Sequence, residues 1–219
     1  MKNIMYRKVN GKICGVLMDY DLSSWTEKLT SDYAKTSQQR TGTPPFMAYE
    51  LLKPDIDMLH LYRHDLESLF YIMLILATHY EVQAPGEGSG GGIGLREELP
   101  CRKWFDQQSY DDLSLSKEAF LKRSDDQLNL SPTFQVFGGW LESLRTAFRV
   151  GLRARDIYLD KRKAKKRMTK GFDYETLGGH VCYSALINPV AKFKGTPLGG
   201  LKVRYRGATS TTSAKKTTV

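Results

Sequence analysis

Gly42-Thr43-Pro44-Pro45-Phe46-Met47-Ala48-Tyr49-Glu50 is the stretch on which the reading of this chain turns. A plain turn leading into a helix cap accounts for Pro44-Pro45, because proline fixes φ and removes an amide donor. It leaves the rest of the string, Phe46-Met47-Ala48-Tyr49-Glu50, without a reason. A short helix is expected from about Met47 to Leu52, reached from an extended, turn-rich approach that ends Thr41-Gly42-Thr43-Pro44-Pro45.

Upstream of this stretch, Ile4-Met5-Tyr6 and Ile13 to Met18 are apolar runs flanking Asn10-Gly11. That pair most readily takes the positive φ angles of a tight turn, so a β-hairpin is expected that delivers Asp19 at the end of its second strand. Residues 21–45, rich in Ser, Thr, Lys and Gln, read as a long exposed segment. Downstream, Asp65 is placed to cap a helix running to about His79 that is apolar nearly all round and must lie at the centre of the domain. Gly86 to Gly94 contains a formal G-x-G-x-x-G at Gly86, Gly88 and Gly91. It follows a buried helix and leads to Arg96-Glu97-Glu98, the wrong context for a phosphate loop, so a flexible insertion is expected. Lys117 to Arg123 and Phe134 to Val150 show helical spacing, giving an all-helical second half, and residues 188–219 read as a disordered tail.

Taken in order, four segments resemble the C-terminal lobe of a protein kinase over residues 1–155. The 42–50 run is similar to the G-T-x-x-[YF]-[ML]-A-P-E end of a kinase activation segment, with Tyr49 for proline. Gly15 to Leu22 resembles the strand and metal-binding motif, with Asp19 in the place of the D-F-G aspartate, Tyr20 for phenylalanine and Asp21 for the usual glycine. Asn3-Ile4-Met5 resembles the end of the catalytic loop, and His64-Asp65-Leu66-Glu67-Ser68-Leu69 the start of the kinase central helix in its casein kinase form. Leu61 to Ser68 taken whole, and Phe172 to Val181, are similar to the fungal-type protein kinase family, which extends the likeness to about residue 187.

The resemblance implies ATP-dependent phosphorylation of Ser or Thr, with ATP and magnesium as cofactors and a protein as substrate or binding partner. Asn3 and Asp19 would hold magnesium, and Thr43 would line the substrate-hydroxyl pocket. Glu50 would be a buried carboxylate paired with Arg145, Arg149, Arg153 or Arg155, and Asp65 would brace the catalytic-loop backbone. The family's catalytic base, five residues before the loop Asn, falls ahead of Met1, as do the Gly-rich lid, the strand Lys and its helix Glu. Catalysis by this chain alone is therefore not expected, and an inactive, pseudokinase-like interaction module is the alternative.

The net charge of +9 is unevenly placed. Residues 161–170 and 188–219 carry seven Lys/Arg each and no acid, while the remainder has 19 basic against 24 acidic residues. Basicity thus belongs to the C-terminal appendages. Lys161, Arg162, Lys163, Lys165, Lys166 and Arg167 form a candidate nuclear import or polyanion-binding element, with nucleic acid or an import receptor as partner, against the reading of a solvated linker. The start shows no apolar run of signal-peptide length, and Leu69 to Ala77, the longest apolar stretch, is too short to span a bilayer. An intracellular protein, in cytoplasm or nucleus and without a membrane partner, is expected. Cys14, Cys101 and Cys182 are expected as reduced thiols, and the four histidines show no metal-ligand spacing. The expected fold is α+β and predominantly α: a kinase-like C-lobe over 1–155 (β-hairpin plus helical bundle), a basic linker and family-type phrase over 156–187, and a basic tail over 188–219.

Overall fold

The computed structural model describes residues 4–17, 42–53, 60–83, 91–106, 109–124, 127–164, 171–188, 192–193 and 196–197. Asn10 and Gly11 take φ angles of 50° and 76°, the pair of left-handed residues that a two-residue hairpin turn needs. Around them β1 (Ile4–Val9) and β2 (Lys12–Leu17) pair antiparallel, Tyr6 opposite Gly15 and Val9 opposite Lys12. The expected hairpin is therefore present. Asn3 and Asp19 lie outside the described residues, as do most of the 21–45 segment and most of the 188–219 tail.

The short helix expected at 47–52 is replaced by two single 3-10 turns, Pro44–Phe46 and Tyr49–Leu52, joined through extended Met47 and Ala48. Met47, Ala48, Tyr49, Glu50 and Leu52 are all buried. A segment buried on so many consecutive positions takes its path from what surrounds it rather than from helical periodicity.

The central helix α1 (Tyr62–His79) buries Leu66, Phe70, Leu74, Ile75 and Ala77, and the Phe70 ring lies 5.9 Å from that of Phe148 and 6.3 Å from that of Phe120. Asp65 does not cap it. The helix starts three residues earlier, where the Tyr62 amide donates to Glu175 Oε2 at 2.9 Å and the Leu61 amide to His64 Nδ1 at 3.1 Å. Glu175 is 113 residues away in sequence, so no local reading could place it there. Asp65 sits in the first turn, where an acid favours the helix dipole, with its carboxylate exposed and 2.8 Å from His60 Nε2.

Helix α1 runs directly into β3 (Tyr80–Gln83), which pairs antiparallel with β4 (Gly92–Leu95), Val82 opposite Ile93. Part of the glycine-rich stretch expected as a flexible insertion is thus a strand, while the elements described beyond it up to residue 187 are helical, as expected. Ile93 and Leu95 alternate with Gly92 and Gly94, and the missing side chain at Gly94 leaves room for Gln83, whose amide carbon would lie 2.2 Å from a Cβ there. Then follow α2 (Lys103–Asp106), α3 (Tyr110–Lys122) and α4 (Gly138–Lys163). Ser109 caps α3 by accepting the Asp112 amide at 3.4 Å. The helix expected from Phe134 begins at Gly138 because Pro132–Phe137 form a 3-10 turn, and it passes residues 155–156 without a break. The chain ends its described part with α5 (Tyr183–Ile187), β5 (Lys192–Phe193) and β6 (Thr196–Pro197).

One core unites these elements. Leu177, Val181 and Leu186 belong to the same buried cluster as Tyr49, Phe70, Trp104, Leu121 and Phe148, and Trp140 Nε1 donates to the Leu186 carbonyl at 3.0 Å. The architecture is mostly helical with small two-stranded antiparallel sheets, an α+β arrangement. Among the described residues no helix is long and apolar enough to cross a membrane, and Cys101 and Cys182 are free thiols.

Helix α4 accepts the 171–188 segment at Gly151, where a Cβ would fall 2.7 Å from Leu177 Cβ and 3.2 Å from His180 Cβ. Gly151→Val is therefore expected to lower the free energy of unfolding by about 1–3 kcal/mol through overpacking. Urea unfolding measures that loss, and limited proteolysis should cut within 171–182 faster than in the wild type.

Candidate functional site

Removing an ionised carboxylate from water is costly unless cations and donors replace the water. Glu50 is only 6% exposed, and both its oxygens are met. Arg63 Nη2 lies 2.5 Å and His64 Nε2 3.1 Å from Oε2. Arg155 Nη1 pairs with Oε1, to which the Tyr49 hydroxyl donates at 3.0 Å while accepting from Arg155 Nη1 at 3.0 Å. Of the four arginines expected as partners of Glu50, Arg155 is the one that meets it.

The partners are themselves fixed. Arg63, 2% exposed, donates from Nε to the Tyr174 carbonyl at 2.7 Å, which joins the 171–188 segment to the cluster. Arg155 also pairs with Asp156 at 3.0 Å, and Asp156 with Lys122 of α3 at 3.0 Å. Since His64 Nδ1 accepts the Leu61 amide, its proton sits on Nε2 and is donated to Glu50. Burial pushes the His64 imidazole down and keeps it neutral. Burial also pushes the Glu50 carboxyl up, but the His64 hydrogen bond and the charges of Arg63 and Arg155 outweigh it and hold the group at about 2.

A second carboxylate lies under the same segment. Glu67, 1% exposed, accepts the Tyr49 amide at 2.8 Å and the Tyr71 hydroxyl at 2.7 Å through Oε1, and burial pushes its carboxyl up. Thr43 is exposed at the lip of the first 3-10 turn; its carbonyl accepts the Phe46 amide at 2.8 Å, and its hydroxyl makes no capping bond. Asp65 shares the first turn of α1 with Arg63 and His64, yet it bonds to His60 outside the cluster. Lys161, Arg162 and Lys163 are exposed at the C-terminal end of α4, and Lys165, Lys166 and Arg167 lie outside the described residues.

Among the described residues the groups of this cluster are engaged with one another and with the 44–50 backbone, an arrangement that holds a segment in place. Among the described residues no cluster of three or more His, Cys, Asp or Glu side chains is placed to hold a metal ion, and the expected magnesium ligands Asn3 and Asp19 lie outside them. Arg63, His64, Glu67 and Glu175 were all missed as members of the site. Arg63, His64 and Glu67 stand inside the Leu61–Ser68 string and Glu175 inside the Phe172–Val181 phrase, and a run of quoted letters carries no signal for which charge meets which.

The family model described as fungal protein kinase matches residues 1–77, which supports assignment to that family. No curated protein and no solved structure matches the chain.

Loss of the Glu50 charge strands the buried Arg63 and removes one of the two carboxylates that Arg155 pairs with. Glu50→Gln is expected to cost about 3–5 kcal/mol of stability at neutral pH. Because the folded carboxyl is held at about 2 against an ordinary 4.5, its contribution is complete above pH 4.5 and disappears as pH falls through 2. That amounts to about 3 kcal/mol at roughly 1.4 kcal/mol per pKa unit. Urea unfolding at stepped pH should show this acid loss in the wild type and its absence in Glu50→Gln; matching profiles would contradict the assignment.

Proposed function

We propose that this chain forms the substrate-docking part of a protein kinase domain that transfers phosphate from ATP to Ser or Thr of a protein. The observation that carries the reading is the anchoring of Glu50 from three directions, by Arg63 and His64 of α1 and Arg155 of α4. It falls at the residue where the likeness to a kinase activation segment requires a buried, paired carboxylate. In this reading the Glu50 and Glu67 contacts hold the Pro44–Tyr49 backbone rigid, and the exposed Thr43 hydroxyl meets the substrate hydroxyl. Asn3 and Asp19 would hold magnesium, which would supply charge neutralisation at the phosphates. Phosphoryl transfer rests mainly on positioning and charge neutralisation, and positioning is the part that the described residues can supply.

The reading is tested in a chimera that joins the nucleotide-binding lobe and catalytic loop of an active fungal-type kinase, in register, to Met1. Magnesium-dependent phosphorylation of Ser/Thr peptides is expected, lost in Asp19→Asn. A chimera that folds and binds ATP yet transfers nothing would move the chain to the alternative class, an inactive interaction module.

A second role is favoured by the exposure of Lys161, Arg162 and Lys163 on the last turn of α4. With Lys165, Lys166 and Arg167 they are proposed as an import or polyanion-binding element. Replacing all six by Gln should abolish nuclear accumulation of a fluorescent fusion and salt-dependent retention on heparin. Unchanged behaviour in both assays would make the run a solvated linker.

A further inference from the structure

Lys117 of α3 is fully buried, a position that ordinarily excludes a lysine. Its Nζ donates to the Met47 carbonyl at 2.6 Å and the Pro44 carbonyl at 3.0 Å. The same ammonium stands 4.2 Å from the centre of the Tyr71 ring and 5.5 Å from that of Trp104, where ring quadrupoles attract a cation. Three residues earlier on α3, Ser114 Oγ donates to the Tyr49 carbonyl at 2.8 Å, and from α1 Glu67 accepts the Tyr49 amide.

Regular elements satisfy their own backbone groups; a buried irregular segment cannot, and each group must find a partner elsewhere. Here the 3-10 turns supply some of the partners of the 44–49 backbone, and three side chains from two helices, Lys117, Ser114 and Glu67, supply others. A residue of similar length without the charge would fill the space under the turns at lower desolvation cost. What it could not do is draw the Pro44 and Met47 carbonyls toward one point. Burial pushes the Lys117 ammonium down and the Glu67 carboxyl up, and the opposite charge of each counters the shift of the other. The other titratable groups facing Lys117 are Tyr71 and Cys101, both pushed up by burial and so uncharged.

We propose that Lys117 is a positioning residue that sets the backbone of Pro44–Tyr49 and thereby the placement of the exposed Thr43 next to it. The anchorage concerns the chain itself, and its bearing on substrate rests on the kinase reading above. It is separate from the Glu50 cluster, with which Lys117 shares no hydrogen bond.

The test is amide hydrogen exchange on the full chain carrying Lys117→Met. Exchange at Phe46, Met47 and Tyr49, whose amides are bonded to Thr43, Pro44 and Glu67, is expected to accelerate about tenfold or more, with α4 amides from Leu144 to Leu152 within about twofold of wild type. No acceleration, or equal acceleration in α4, overturns the proposal and reduces Lys117 to a core filler. Should Lys117→Met fail to fold, the wild-type chain decides. Lysine ammonium protons protected from exchange and showing nuclear Overhauser effects to Pro44 and Met47 support the anchorage; a freely exchanging ammonium refutes it. In the active chimera, Lys117→Met should raise KM for peptide about fivefold or more with kcat nearly unchanged. An unchanged KM removes the link to substrate, whereas an inactive parent chimera sinks the kinase reading and leaves the exchange result standing.

Discussion

Glu50 is taken out of water next to Tyr49 and Leu52, and a carboxylate in that position has to be met by cations. The residues that meet it come from separate parts of the chain, Arg63 and His64 at the start of α1 and Arg155 in the second half of α4. Each brings a further contact with it. Arg63 reaches the Tyr174 carbonyl, Arg155 reaches Asp156, and Asp156 reaches Lys122. Through this one charge the irregular segment, three helices' worth of side chains and the 171–188 segment are held in a single arrangement.

A buried ion cluster is not the cheapest way to stabilise a core, since apolar residues of like volume often do as well or better. What charges add is directionality, because only one placement of the backbone satisfies every donor and acceptor. The same logic recurs beneath the neighbouring turns, where Lys117, Ser114 and Glu67 meet carbonyls and an amide that have no ladder to join. The 44–50 backbone is thus specified by polar contacts around a packed apolar centre.

The 171–188 segment is part of the globular body. Glu175 supplies the acceptor that the first turn of α1 lacks, Leu177 fills the space left by Gly151, and the Phe172 ring lies 5.3 Å from that of Tyr158 and 5.1 Å from that of Tyr174. Helix α4 carries the chain through residues 155–156 into the basic stretch, so the charge change at residue 161 marks a change of surface and not an end of structure.

Much of this was determined by sequence alone. Asn10-Gly11 fixed the hairpin, because those residues tolerate left-handed φ angles that few others accept. The apolar density of 66–77 fixed α1 as the central helix, because a helix without a polar face has to be covered. The likeness of the 42–50 string to a kinase activation segment marked Glu50 for burial and left four arginines as partners. Tertiary structure alone decided the rest. It chose Arg155 among the four, added Arg63 and His64, moved the helix start from Asp65 to Tyr62 by way of Glu175, and turned an expected helix at 47–52 into two 3-10 turns held by α1 and α3. It also paired Gly92–Leu95 with Tyr80–Gln83, where glycine-rich composition pointed to flexible chain. The reason is common to these cases: propensity and periodicity act over a few residues, whereas which donor reaches which buried acceptor depends on groups up to 113 residues apart that only the packed fold brings within hydrogen-bond distance.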